Sequence, residues 1–270
     1  MDRTALGRWG LATLVVAHAS GPAAAETPVD LELVLAVDVS GSMDPDEHAI
    51  QRRGYVEAFT HPEVVGAVRS GPFGRIAVAY VEWGGPASQA VTVPWTLVED
   101  LDTAADFAAG LGEASLGRFR GTSISGALTF SAPLFEGNGF DGLRRVVDVS
   151  GDGPNNAGAP VVPARDAVVG AGIVVNGLPI ALKVPGFSGI GGSDLVAYYR
   201  ECVIGGPGAF VIPVTEAGQL AEAIRQKLVL EIAGLPARPV PAVQRLPVQA
   251  AESVDCLIGE RLRRVWERDP

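Results

Sequence analysis

Residues 31–39, Leu-Glu-Leu-Val-Leu-Ala-Val-Asp-Val, are apolar at nearly every position. A strand with one wet face alternates apolar and polar side chains, whereas a strand covered on both faces need not. This run therefore predicts a strand inside a sheet flanked by two layers, which points to an α/β fold with a mainly parallel sheet. The rest of the chain fits that reading. A helix follows, with Asp44 as its cap, Pro45 at its first position, and Asp46 and Glu47 at its positive end. Its expected inner face is Ile50, Tyr55, Phe59, Val64 and Val65. Residues 75–83 and 89–95 read as strands joined by Gly-Gly-Pro-Ala-Ser at 84–88. A link this short fits a hairpin, so the third strand should be antiparallel and lie at an edge. Helices are expected over 101–111 and 123–135, a strand over 144–150, and a helix around 166–171. A strand over 173–182 is disturbed by Gly177 and Pro179. A short helix at 195–202, a last strand at 210–214 and an amphipathic helix at 219–232 close the pattern.

The ends of the chain read differently. Residues 1–25 combine Arg3 and Arg8, a short apolar run at 11–19, the breaker Gly21-Pro22 and a small-residue site at Ala23-Ala24-Ala25. That is the pattern of an export signal peptide, and the apolar run is about half the ~20 residues that span a bilayer. No later stretch reaches 18 apolar residues, so the mature chain is expected to lack a membrane span and to be exported, either periplasmic or secreted. One domain is expected over 26–234. From residue 235 the prolines 236, 239, 241 and 247 imply an extended segment, followed by a short helix at 255–266 with Ile258, Leu262, Val265 and Trp266 on one face. That face would dock on its own domain, pinned by Cys256, or on a partner. The two cysteines, Cys202 and Cys256, read in an oxidising compartment as one disulfide; two unpaired thiols are the other reading. The formal charge is −10, with 21 basic residues against 31 acidic, which argues against nucleic acid as a partner.

The chemistry lies in three separated segments. Asp38-Val39-Ser40-Gly41-Ser42 follows the first strand, Gly121-Thr122 precedes a helix, and Asp152-Gly153 follows the strand 144–150. In open α/β sheets, ligand sites gather beyond the carboxyl ends of strands, so all three can meet at one edge. Together they offer two carboxylates, Asp38 and Asp152, and three hydroxyls, Ser40, Ser42 and Thr122. This is a donor set for a hard cation such as Mg²⁺, which takes six oxygens at about 2.0–2.1 Å and often keeps waters. With few carboxylates the ion retains positive charge and an open position, which an acidic side chain of a partner can fill. Taken singly, each residue is also an ordinary turn or helix-cap residue. Asp148 and Ser150 share the strand face of Asp152 and are either supports for the site or a buried polar pair. Asn155 and Asn156 read first as turn formers.

Asp38-x-Ser40-x-Ser42, the later Thr122 and the later Asp152-Gly153 resemble the metal-ion-dependent adhesion site of von Willebrand factor A-type domains, and the α/β pattern over residues 29–233 agrees. The resemblance implies a Rossmann-like doubly wound sheet with one antiparallel edge strand and helices on both faces. It also implies direct ligation by Ser40, Ser42 and Thr122, with Asp38 and Asp152 binding directly or through water. The export signal, the Ser-Gly-Asp-Gly-Pro-Asn-Asn run at 150–156 and the Cys-bearing tail resemble a bacterial exported family of unknown function.

The expected function is an exported, non-enzymatic binding module. In it a divalent cation, Mg²⁺ or alternatively Mn²⁺ or Ca²⁺, engages an acidic group of a protein partner. A metal-dependent hydrolase and a module that the metal merely stabilises are the alternatives. Against the hydrolase, His48 and His61 are the sole histidines after the leader, and no Gly-x-Ser-x-Gly elbow or Walker A loop occurs. Gly189 to Gly192 reads as a surface loop, and Arg118 and Arg120 as solvated loop charges that can steer an acidic partner.

Overall fold

The computed structural model describes residues 25–41, 45–115, 117, 119–182, 192–234 and 254–266. The leader over 1–24, Ser42, the cap residue Asp44, Arg118, Gly189 to Gly191 and the proline-rich segment lie outside the described residues. In chain order the elements are β1 (Thr27–Val29), β2 (Glu32–Asp38), α1 (Pro45–Phe59), α2 (Pro62–Arg69), β3 (Ile76–Trp83), β4 (Gln89–Val98), α3 (Leu101–Glu113) and α4 (Ile124–Ser131). Then come β5 (Phe140–Gly142), β6 (Arg145–Gly151), α5 (Val161–Gly170), β7 (Val174–Pro179), α6 (Gly192–Tyr198), α7 (Leu220–Ala233) and α8 (Ile258–Trp266).

The central sheet has the order β4-β3-β2-β6-β7. β2 runs parallel to both β3 and β6, β6 runs parallel to β7, and β4 is antiparallel to β3. Every residue of β2 is buried, as the apolar run requires. Strand alternation divides it between two layers. Leu33, Leu35 and Val37 pack with Tyr55, Phe59, Phe107 and Leu228 of α1, α3 and α7. Val34 and Ala36 pack with Ile124, Leu128 and Val161 of α4 and α5, and with Tyr199 beyond α6. The result is a doubly wound α/β sandwich. β4 is longer than its apolar signal, running through Pro94 to Val98; proline lacks a ladder donor and is tolerated at an edge.

Several local expectations change. The helix after β2 is two helices, because Pro62 starts α2 and His61 Nδ1 accepts the Glu63 N–H at 3.3 Å as its cap. Ile50 is 40% exposed rather than inward. The inner face of α1 is instead His48, Gln51, Arg52, Tyr55, Ala58 and Phe59, so polar side chains occupy positions that a hydrophobic count overlooks. The strand over 173–182 shortens to β7. Gly177 is required there, because a Cβ would come within 2.7 Å of the Tyr199 ring. Residues 210–214 form no continuous strand. They touch β7 and its extension through isolated parallel bridges, Val211 to Gly177 and Val214 to Ile180, and Pro213 interrupts any ladder. A small parallel pair, β1 with β5, was not expected; the Glu32 carboxylate holds it by accepting the Gly142 N–H at 2.9 Å and an Asn138 Nδ2 donor at 2.6 Å.

Between β6, β7 and α7 lies a buried charge cluster. Lys227 Nζ sits 2.7 Å from Asp148 Oδ1 and also pairs with Glu231, to which Asn176 Nδ2 donates at 3.2 Å. Burial, then the charge of Asp148, pushes the Glu231 carboxyl up to about 7. The tail returns to the domain through a disulfide between Cys202 and Cys256, with Cα atoms 5.5 Å apart and 54 residues of sequence separation. Val254, Cys256, Ile258 and Leu262 pack on the α4–α5 side of the core, whereas Val265 is exposed. Among the described residues, no helix is long and apolar enough to cross a membrane.

Two outcomes are expected. Cross-linking a loop of this length constrains the unfolded chain by about 4 kcal/mol, so Cys256→Ser should lower the urea unfolding free energy by up to that amount; an unchanged midpoint would contradict a stabilising bridge. The folded pKa of Glu231 lies above its ordinary 4.5, so its contribution is full below pH 4.5 and is lost as pH rises toward 7. Glu231→Gln should remove that slope and gain on the parent by about 1–3 kcal/mol across the window. Parallel thermal-melt profiles of the two proteins would show that Glu231 does not titrate there.

Candidate metal centre

β2 and β6 are neighbours, but their onward connections diverge. The chain leaves β2 for β3 on one side, and leaves β6 for β7 on the other. Between the carboxyl ends of such strands a crevice opens, the usual ligand position in a doubly wound sheet. Asp38 is the last residue of β2, Ser40 follows it by two, and Asp152 comes directly after β6. Thr122 stands just before α4, whose N-cap Ser123 accepts the Gly126 N–H at 3.1 Å.

Backbone and amide bonds tie these segments together. Ser40 forms a parallel bridge with Phe119, and the Phe119 N–H donates to the Val39 carbonyl at 3.1 Å. The Ser123 N–H donates to the Gly84 carbonyl at 2.7 Å. Thr122 is held from both sides: its N–H donates to Asn156 Oδ1 at 3.0 Å, and its carbonyl accepts from the N–H groups of Asn156 and Ala157 at 2.9 and 3.2 Å. Asn155 Oδ1 accepts the Ser125 N–H at 3.0 Å. The two asparagines thus do more than shape a turn; they couple the Asp152 loop to the Thr122 segment. Asp38, Ser40, Thr122 and Asp152 are all buried at this edge. Ser42 lies outside the described residues.

The electrostatics are unfavourable without a counter-charge. Asp38 is fully buried, and its Oδ1 accepts the Ser40 N–H at 2.7 Å. Its Oδ2 has no hydrogen-bond partner among the described residues. Burial first, then the charge of Asp152, pushes the Asp38 carboxyl up to about 8. Tyr199, which no sequence signal singled out, places its buried hydroxyl at the same spot. Its oxygen and Asp38 Oδ2 would lie 2.9 and 3.0 Å from a Cβ on Gly151, so the site needs glycine there. The Tyr199 hydroxyl is held well above its ordinary range by burial and by the charges of Asp38 and Asp152. Among the described residues no group of three His, Cys, Asp or Glu side chains could hold a metal, so any ion here relies on hydroxyls beside two carboxylates. The buried pair, the unpartnered oxygen and the neighbouring hydroxyls fit a hard divalent cation.

A second charge arrangement positions the loop leading to Thr122. Glu82, near the end of β3, pairs with Arg52 of α1 and accepts the Gly117 N–H at 3.0 Å. Arg52 also donates to the carbonyls of Ala114 and Ser115. Asp148 and Ser150 face the α1–α7 layer: Ser150 Oγ accepts from Gln51 Nε2 at 3.1 Å, and Asp148 pairs with Lys227. They form buried polar contacts with helices rather than with the Asp38 carboxylate. His48 is buried within α1, and Arg120 is exposed beside the site.

Among curated proteins none matches the chain by sequence. Solved structures with similar folds include proximal thread matrix protein 1 from the mussel byssus, with a zinc-occupied MIDAS motif. It shows 18% identity and a TM-score of 0.54, over 78% of this chain and 49% of that one. The open form of the pilus adhesin SpaC from Lactobacillus rhamnosus GG gives 13% and 0.55, over 77% and 31%. A von Willebrand factor type A protein from Catenulispora acidiphila gives 16% and 0.53, over 76% and 43%. The chain spans about half or less of the length of these proteins. The shared feature is the von Willebrand factor A-type fold. A family described as "Protein of unknown function (DUF1194)" matches residues 28–236, most of the chain. The chain therefore belongs to that family, and its fold is of the von Willebrand factor A type.

Proposed function

We propose that the protein is an exported binding module, not an enzyme, that uses a divalent cation held by Asp38, Ser40, Ser42, Thr122 and Asp152 to engage an acidic group of a protein partner. The observation that carries this reading is the fully buried Asp38 carboxylate, with one oxygen unpartnered among the described residues and Asp152 beside it. A buried carboxyl whose ionisation is opposed by burial and by a second carboxylate is the place for a cation, and Ser40 and Thr122 supply neutral oxygens for its shell. Asp38 and Asp152 at most balance the two charges of the ion and leave no excess negative charge, so a carboxylate presented from outside can take an open position in its shell. Mg²⁺ suits the oxygen-only donor set, with Mn²⁺ or Ca²⁺ as alternatives. The similar fold of a protein titled with a zinc-occupied MIDAS motif, and of a pilus adhesin, supports a binding role at the cell envelope or outside the cell.

The residues here do the following. Asp38 and Asp152 supply the negative charge, the hydroxyls supply neutral ligation, and Asn155 and Asn156 keep the Thr122 segment against the Asp152 loop.

Mg²⁺ at a hundred times its dissociation constant should stabilise the protein by about 2.7 kcal/mol, reversibly with EDTA. Asp38→Asn should abolish that shift while making the metal-free protein more stable at neutral pH, because a carboxyl pushed up to about 8 must take up a proton on folding and asparagine need not. A Mg²⁺ shift that persists in Asp38→Asn would place the ion elsewhere. For the partner, affinity capture by the mature protein should succeed in Mg²⁺ and fail in EDTA; equal recovery in both would sink cation-bridged binding.

A further inference from the structure

The tail helix lies against the candidate metal centre. Asn155 Nδ2 donates to Glu260 Oε1 of α8 at 2.7 Å, while Asn155 Oδ1 accepts from Ser125 and its neighbour Asn156 holds Thr122. Gly259 is buried against the same loop. A Cβ there would collide with the Asn155 carbonyl oxygen and lie 3.1 Å from Pro154 Cγ. One turn on, Arg263 reaches the other lip, with its Nη1 4.0 Å from where a Cβ on Gly121 would stand. α8 thus touches the loop carrying Asp152, and Arg263 approaches the residue before Thr122. Its own hold on the domain is narrow. Among the described residues it rests on Ile258 and Leu262, together with Val254 and Cys256 just before it, and its one covalent tie is Cys256 to the fully buried Cys202.

We propose that α8 is a disulfide-tethered strap that sets the geometry of the cation site, so that the site reaches full affinity once the Cys202–Cys256 bond has formed in an oxidising compartment. Glu260, Gly259 and Asn155 are its positioning residues. The proposal rests on the cation reading above. It adds a control: before export, with both thiols reduced, the Asp152 loop lacks its brace and the site binds its ion weakly. The oxidation is ordinary thiol–disulfide exchange. A thiolate of Cys256 or Cys202 attacks a disulfide-bearing oxidant and expels one thiol of it, and the second cysteine then displaces the other. Two cysteine thiols become one disulfide, and the oxidant's disulfide becomes two thiols.

The test compares the oxidised full-length mature protein with Cys256→Ser, Gly259→Ala, Glu260→Ala and Glu260→Gln. Two readouts are taken well below each melting temperature: Mg²⁺ affinity by calorimetry, and amide hydrogen exchange over 120–126 and 152–157. Cys256→Ser, Gly259→Ala and Glu260→Ala should each weaken Mg²⁺ by about tenfold, the scale of losing a support behind a metal ligand, and should speed exchange in both segments. Glu260→Gln keeps an acceptor for Asn155 and should behave as the parent. Gly259→Ala is the sharpest variant, because alanine is the better helix former and any loss must come from undocking. Parental affinity and exchange in Cys256→Ser and Gly259→Ala would overturn the strap. If the parent itself binds no Mg²⁺, the cation reading and the gain of affinity on oxidation both fail. The exchange data then judge the brace on its own, and unchanged exchange would overturn that too.

Discussion

Two carboxylates, Asp38 and Asp152, stand at the ends of adjacent parallel strands with almost no water around them. Charges of one sign in such a place raise each other's cost, and the surrounding design makes sense as a response to that cost. The Ser40 N–H offsets part of it at one oxygen of Asp38; the other has no hydrogen-bond partner among the described residues and lies beside Tyr199 and Gly151. Among the described residues, Ser40 and Thr122 are buried at the same edge. Four carboxylates would carry twice the charge of a divalent ion and repel a further acid, whereas two at most balance it.

The sheet supplies the rigidity that such a site needs. β2 is buried along its whole length and hydrogen-bonded on both sides, so Asp38 sits at the end of a fully covered central strand. Buried ion pairs brace the elements around it. Arg52 and Glu82 fix the approach to Thr122, and Lys227 with Asp148 and Glu231 fastens α7 to β6. Pairs like these contribute little net stability once desolvation is counted, but breaking one leaves an uncompensated charge, which restricts the alternatives open to the chain.

Much of this was legible in the residues themselves. The nearly continuous apolar run at 31–39 announced a covered parallel strand, and the five-residue link at 84–88 announced the antiparallel edge. Asp38, Ser40 and Asp152, at or just after the ends of buried strands, and Thr122, just before a helix, stood out as candidates only in combination, and the fold buries all four at one edge of the sheet. The less legible parts share a cause: a polar side chain whose partner is remote in sequence carries no local signal. Gln51 and Arg52 on the inner face of α1, Tyr199 under the site and the cluster around Lys227 are all of this kind. Pro213 shows the converse. It sits in an apolar run that reads as a strand, yet its missing N–H reduces the contact to isolated bridges. The tail helix was readable as an amphipathic stripe, but its seat on Asn155 was not, because that contact joins residues 105 apart in sequence.

The central claim is that one divalent cation sits between Asp38 and Asp152 with hydroxyl ligands. The most direct measurement is an anomalous difference map from crystals of the mature protein grown with Mn²⁺. The account predicts a single strong peak in the crevice between the ends of β2 and β6, with oxygens of Asp38 or Asp152, Ser40, Ser42 and Thr122 around it at about 2.1 Å or through one water. A crevice without a peak at saturating Mn²⁺, or a peak ligated by other residues, would contradict it.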